Sequence, residues 1–395
     1  MQSAGTASQA GRWIGRGEAL ARLGVKAQTL YAYVSRGRIA ARPDPDDPRR
    51  SLYAVSDIIR LSGDEPAAAA GIGQWLPPPE ESEAQDLEIR SSVSVSDGRR
   101  LFYRGMDAVQ LAESATLEDV ARRMWDARAG NPFVEVRPRV GTMPGHSARG
   151  RLFSALARRA EEDAELKPRP PESLRVECAR VLDEAVDAVA GPGPRLFLHQ
   201  RLARTWKVRE PDAHLVRRAL VLAADSGLDA PALAARAAAA GGASLAGAAL
   251  AGLATVAGAP TLIDLARESD WVVAVRRQAA DAARRAHEAG ALYGFGDPAW
   301  PGGDPRAAAL LAVADLPQDL ARALREGEEL TGRRPAFTLA LVAVARRLEL
   351  PRDAPADLLM IGRLAGLLAH ALDQITNGSP IRARLRYVGP EPGAN

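Results

Sequence analysis

From Leu87 onward, apolar residues return with the spacing of one helix face, broken mainly by glycines and prolines. A pattern sustained over that length leaves room for little besides packed helices and predicts an all-α fold. Helices are expected at 174–189, 215–224, 231–240, 246–256, 272–289, 317–324, 337–348 and 356–374. Thr116 is a good N-cap for a further helix with Leu117, Val120, Met124 and Trp125 on one side. Residues 87–103 depart from this period. Val93 and Val95 alternate, Asp97-Gly98 offers a turn, and Leu101-Phe102-Tyr103 follows, which predicts a short hairpin. Only 5% of the residues are aromatic, so the core must come from Ala, Leu and Val.

The 395 residues suffice for two or three domains. Cys178 is the single cysteine, which excludes an intramolecular disulfide framework and a cysteine-based metal cluster and fits a reducing compartment. Residues 234–257 are apolar enough to suggest a membrane span. They contain Arg236 and the Gly241-Gly242 break, and so predict two closely packed Ala-rich helices instead. The first residues lack the apolar centre of a signal peptide, and the expectation is a soluble cytoplasmic protein without a membrane partner. Nothing in the chain has zinc spacing, a nucleophile elbow or a Walker sequence, and Gly294-Phe295-Gly296 is too short for a phosphate loop. No metal site is expected.

Charge is unevenly spread. Through Gly63 there are ten basic residues against five acidic ones, although the whole chain carries only +3. Within that basic stretch, a helical run at 18–23 stops at Gly24, and a second at 26–36 stops at Gly37. A Gly-containing turn between two short helices is the helix-turn-helix signature. Behind it, Ile39, a Pro/Asp turn and Arg49-Arg50-Ser51-Leu52-Tyr53 predict a hairpin with arginines at its tip and arms, and Ser56 opens another helix. In this reading Lys26, Gln28, Thr29, Tyr31, Ser35 and Arg36 face the major groove of DNA. Arg38, Arg42, Arg49 and Arg50 neutralise phosphates. The competing reading is a protein-docking domain that shares the fold. Residues 1–63 form this module, and the Pro/Ala-rich stretch 64–86 is a linker.

The run Thr29 to Gly37 and its surroundings resemble the winged helix-turn-helix at the head of the regulators named after mercury resistance, in the form fused to some bacterial citrate synthases. The remainder, 87–395, resembles citrate synthase and 2-methylcitrate synthase. The likeness is carried by Leu101 to Gly105, Leu198 to Ala203, Arg218 to Asp225, Gly294 to Gly296 running to Gly303-Asp304-Pro305-Arg306, Gly362-Arg363, and the tail from Ile381. It implies a helical dimer with two subdomains, the smaller at roughly 200–305, and a cleft between them closed by the partner's tail. It also implies condensation of an acyl-CoA with a 2-oxo acid such as oxaloacetate. That chemistry needs a carboxylate base, a histidine for the enolate oxygen, a histidine for the ketone, and arginines for the dicarboxylate. The CoA thioester enters as substrate or ligand, and no cofactor is implied.

Carried over residue by residue, the resemblance divides. Arg306, Arg363 and Arg382, the last reaching across the dimer, match the arginine clamp. The reactive positions do not match: Ser226 and Asp297 stand for substrate-contacting histidines, Thr261 for the enolate histidine and Ala336 for the base. The five histidines, His146, His199, His214, His287 and His370, fall elsewhere; His199 and His370 are expected inside helices and the others at the surface. The leading expectation is a catalytically silent dimer that binds DNA and senses a dicarboxylate or acyl-CoA. The alternatives are an active citrate or methylcitrate synthase, and a silent subunit paired with an active paralogue.

Overall fold

The computed structural model describes residues 13–23, 25, 27–35, 39–44, 47, 50–55, 58, 88–134, 136–137, 144–163, 169–191, 196–278, 281–378 and 380–381. The chain divides into two compact units, Met1–Glu83 and Ala84–Asn395.

In the smaller unit, β1 (Trp13–Gly15) leads into α1 (Arg16–Leu23) and α2 (Ala27–Ser35), followed by β2 (Ala41–Pro43) and β3 (Ser51–Ala54). Strand β3 lies between the other two, antiparallel to both, with Tyr53 opposite Ile14 on one side and Ala41 on the other. Its core gathers Ile14, Ala19, Leu30, Ile39, Tyr53, Val55 and Ile58. Leu30 is buried and Val34 packs beside it, as their i, i+4 spacing predicts. Lys26, Arg36, Arg38, Arg49 and the linker at 64–86 lie outside the described residues, as does the helix expected from Ser56 except for buried Ile58.

The larger unit opens with the hairpin that the alternation predicts: β4 (Ser94–Ser96) and β5 (Leu101–Tyr103), joined by β6 (Met106–Asp107). The rest is helical: α3 (Ala108–Ser114), α4 (Leu117–Met124), α5 (Ala148–Glu162), α6 (Pro171–Ala190), α7 (Leu198–Thr205), α8 (Ala213–Leu222), α9 (Ala230–Ala240) and α10 (Leu245–Val256). Then come α11 (Ala259–Gln278), α12 (Ala282–Glu288), α13 (Pro305–Leu311), α14 (Gln318–Thr331), α15 (Phe337–Arg347) and α16 (Ala354–Asn377). Thr116 caps α4 in a capping box with Asp119. The single helix expected at 272–289 is instead two, α11 and α12. Helix α11 starts much earlier because Pro260, one residue inside it, is compatible with a first turn whose N–H groups lack partners anyway. Helix α14 runs past 324 to Thr331 and stops at Gly332, which takes the left-handed conformation at φ 64°.

Two cores result. The first collects α3 to α10 and α16. The second collects Leu265, Trp271, Val275, Phe295, Leu320, Leu324 and their neighbours from α11, α12 and α14. Residues 200–256 belong to the first core, so the second overlaps the expected 200–305 only from Leu265 onward. Helix α15 serves both. Phe337, Ala340, Leu341 and Val344 face the first core, and Leu339, Val342 and Ala343 face the second. A helix apolar all round must be covered all round. Helix α16 is the one described helix long and apolar enough to span a membrane, and most of it is buried in the first core. The Ala-rich pair α9 and α10 packs there too, with Gly252 so close to Leu367 that a Cβ would stand 2.7 Å from a Leu367 methyl carbon.

Candidate functional site

Helix α8 ends in a turn that carries Asp225 and Ser226, and α16 crosses it closely. Gly362 and Gly366 allow this approach. A Cβ at Gly366 would lie 2.3 Å from Ala224 O, and the Gly366 N–H donates to that same carbonyl at 3.1 Å. Arg363, between the two glycines, is thereby set against Asp225 and also pairs with Asp229.

Asp225 is completely buried and receives several partners. Ser94 Oγ, His370 Nε2 (3.2 Å) and the Gly227 N–H (3.3 Å) bind its carboxylate, and the Tyr103 hydroxyl accepts from its backbone N–H at 3.3 Å. Arg236 Nε donates to His370 Nδ1 at 3.0 Å, which leaves the ring proton on Nε2, facing Asp225. Burial first, then the charges of Arg363 and Arg236, hold the His370 pKa well below the usual range, so the ring is neutral. Burial lowers the Arg363 pKa to about 10, still high enough to keep it charged at neutral pH.

Arg306 stands in the first turn of α13, after its N-cap Asp304. That carboxylate accepts from the Arg306 backbone N–H (2.9 Å), Nε (3.0 Å) and Nη2 (2.7 Å). Burial works to lower the Arg306 pKa, but the Asp304 hydrogen bonds and charge outweigh it and raise the value. The guanidinium lies 4.8 Å from the Phe337 ring centroid and 5.7 Å from that of Trp300. Its remaining end, Nη1, donates to Ser226 Oγ at 2.9 Å.

The structure therefore brings together Ser226, Arg306, Arg363 and the N-cap position of α15, Ala336. Asp297 lies on the neighbouring turn, where the Trp300 N–H donates to its carbonyl oxygen at 2.9 Å. Its Oδ1 accepts from the Ala299 N–H at 2.9 Å, and it lines a pocket of about 460 Å³ with Trp300, Arg333 and Arg334. Thr261 is half-buried near the start of α11 and forms no hydrogen bond to these groups. Arg382 lies outside the described residues. His199 is buried against Phe197, with its pKa lowered to about 4 by burial and by Arg217, while His146, His214 and His287 are exposed.

Sequence reasoning missed Asp229, the Arg236–His370–Asp225 chain and Glu268. Asp229 was findable as the N-cap of α9, where its Oδ1 accepts from the Ala232 N–H at 3.0 Å. Glu268 is 1% exposed on α11, accepts from Thr338 Oγ1 at 2.8 Å, and has its pKa pushed to about 8, chiefly by burial. Gly294, at φ 83°, lies against it; a Cβ there would be 2.8 Å from Glu268 Oε1. Among the described residues, no group of three His, Cys, Asp or Glu is placed to hold a metal ion.

The family model for the citrate synthase C-terminal domain matches residues 155–384, more than half of the chain. The chain belongs to the citrate synthase family. Its fold is that of solved citrate synthases. The enzyme from Thermotoga maritima MSB8 aligns at 20% identity and TM-score 0.60, covering 79% of this chain and 96% of that one. Citrate synthase of Thermoplasma acidophilum, in a ternary complex with carboxymethyl coenzyme A and oxaloacetate, aligns at 16% identity and TM-score 0.62, covering 78% and 95%. That of Pyrobaculum aerophilum gives 19% and 0.61, covering 77% and 91%. No curated protein sequence matches the chain.

Proposed function

We propose that this citrate synthase-family chain is a non-catalytic, ligand-binding regulator: a dimer whose cleft holds a small dicarboxylate and whose N-terminal unit binds DNA. One observation carries the first part. Around Arg306 and Arg363 stand Ser226, Ala336 and a turn-forming Asp297, and the one histidine in contact with this cluster, His370, has both ring nitrogens engaged. Among the described residues no histidine stands at a reactive position, and Asp297, the one carboxylate lining the neighbouring pocket, has its Oδ1 held by the Ala299 N–H. Each catalytic contact is worth ~10²–10⁴ in rate, so losing base and both histidines together leaves condensation near background. Arg306, in contrast, is held by Asp304, and among the described residues its Nη1 donates to the half-buried Ser226 alone, as an anion-binding group requires. The far end of the ligand falls to Arg363 and to Arg382 of a second copy.

The test is a thiol-release assay with oxaloacetate and acetyl- or propionyl-CoA, beside a thermal-shift titration with oxaloacetate and citrate. No turnover is expected above background. A dicarboxylate is expected to raise the melting temperature of the wild type and not that of Arg306→Ala. Turnover that disappears in Asp297→Ala overturns the proposal and favours an active synthase.

A further inference from the structure

Away from the Arg306 cluster, a pocket of about 490 Å³ opens where the two cores meet. Lys207 and Arg209, just past the end of α7, come from the side of the first core, against which Val208 packs. Arg276, in the last turn of α11, comes from the side of the second core, next to buried Val275. Arg346 and Arg347, in the last turn of α15, bring the cations lining this one pocket to five. Its lining carboxylates are Asp212 and Glu349. Asp212 is shared by Arg209 (2.7 Å) and Arg347 (3.2 Å), while Arg346 pairs with Asp319 of α14. Among the described residues, Lys207 and Arg276 pair with no carboxylate. Three positive charges therefore stand against the single charge of Glu349. Lys207 (φ 55°) and Glu349 (φ 53°) also occupy the left-handed positions after α7 and α15, a place that Gly332 fills after α14. Charged side chains line the pocket at positions where glycine is the less strained choice.

We infer that this pocket binds a polyphosphate anion, two linked phosphoryl groups held by Lys207 and Arg276 from the two cores, with Arg209 and Arg347 beside them. Two phosphoryl groups carry about three negative charges at neutral pH, which matches the excess. Guanidinium groups pair with phosphate oxygens two at a time, and a lysine adds a compact point charge. Val208, Pro317 and Leu348 are the apolar side chains among the described lining residues, too few to seat an apolar body. None of the lining residues belongs to the Arg306 cluster, so the site is independent of the proposed dicarboxylate. The anion could be a free polyphosphate or the diphosphate of a nucleotide, since both present the same groups to these cations.

Calorimetric titration of the full chain at constant ionic strength, with inorganic pyrophosphate, ADP and orthophosphate as probes, is the experiment. Pyrophosphate is expected to bind at least about tenfold more tightly than orthophosphate, one further charged hydrogen bond being worth about that factor. Lys207→Ala with Arg276→Ala is expected to weaken pyrophosphate at least about tenfold. The same double variant is expected to keep the melting temperature of the unliganded wild type, because both side chains are exposed and neither has an ion-pair partner to lose. Arg306→Ala is expected to leave pyrophosphate binding unchanged. ADP binding at least as tightly as pyrophosphate marks a nucleotide as the occupant, and ADP binding more weakly marks the free anion; both uphold the site. Pyrophosphate that does not bind, that binds no more tightly than orthophosphate, or whose binding survives the double variant overturns it. So does binding lost in Arg306→Ala, which would put the anion in the other cleft.

Discussion

Glu268 shows how a single residue records its surroundings. Its carboxyl is buried between α11, α15 and Gly294 with one hydrogen bond from Thr338, and its pKa stands at about 8 against the ordinary 4.5. A carboxyl raised on folding binds its proton more tightly in the native state than in the unfolded one. Its contribution to stability is therefore complete below the unfolded value of 4.5 and is lost as pH rises toward 8. Glu268→Gln, which is neutral throughout, is expected to gain unfolding free energy relative to the wild type as pH goes from about 5 to about 9, by an amount on the order of a few kcal/mol. Denaturation series at several pH values check this. A variant that loses ground as pH rises means that Glu268 is ionised and paired. The buried histidines act in the opposite direction, since His199 and His370 have depressed pKa values and cost stability below about pH 6.5, where the unfolded rings take up protons.

At the scale of elements, the cleft depends on how closely α16 passes the end of α8. The two glycines, four residues apart, remove the side chains from one stripe of α16 and admit the Ala224 carbonyl and the Asp225 carboxylate. Gly366→Ala places a methyl group 2.3 Å from that carbonyl. It is expected to cost on the order of 1–3 kcal/mol in chemical denaturation and to displace Arg363 from Asp225. Gly130→Ala, with nothing within 4 Å, serves as the control and is expected to change stability little. Helix α15 shows the complementary case, in which two apolar faces on one short helix join two cores, and its first residues supply both Phe337 under Arg306 and Thr338 on Glu268.

For the whole molecule, the two units divide the proposed labour. On α2, Gln28, Tyr31 and Ser35 share an exposed face, while Thr29 is half-buried beside it. Arg42 is exposed over the Trp13 ring at 4.4 Å, and Arg50 pairs with Asp47 at 3.3 Å at the hairpin tip. If this unit reads DNA, the affinity of the full chain for its own upstream region falls steeply with salt. Arg42→Ala with Arg50→Ala is expected to flatten the log–log slope by about 2, one per phosphate contact removed. An unchanged slope in quantitative binding assays across salt removes the DNA reading and leaves docking to protein.

The sequence alone determined the helical class, the opening hairpin and the basic N-terminal unit, and its resemblance to the family is what proposes Arg306 and Arg363 as clamp arginines and Ser226, Thr261, Asp297 and Ala336 as the substituted reactive positions. Periodicity and short motifs are local, and one strand of text suffices to see them. It did not determine that Arg363 is shared between Asp225 and Asp229, that His370 is locked between Arg236 and Asp225, or that Glu268 is buried against Gly294. Those partners lie up to 145 residues apart in the chain. Their charge states follow from desolvation and from neighbours that only close packing of α16, α8 and α15 brings within reach.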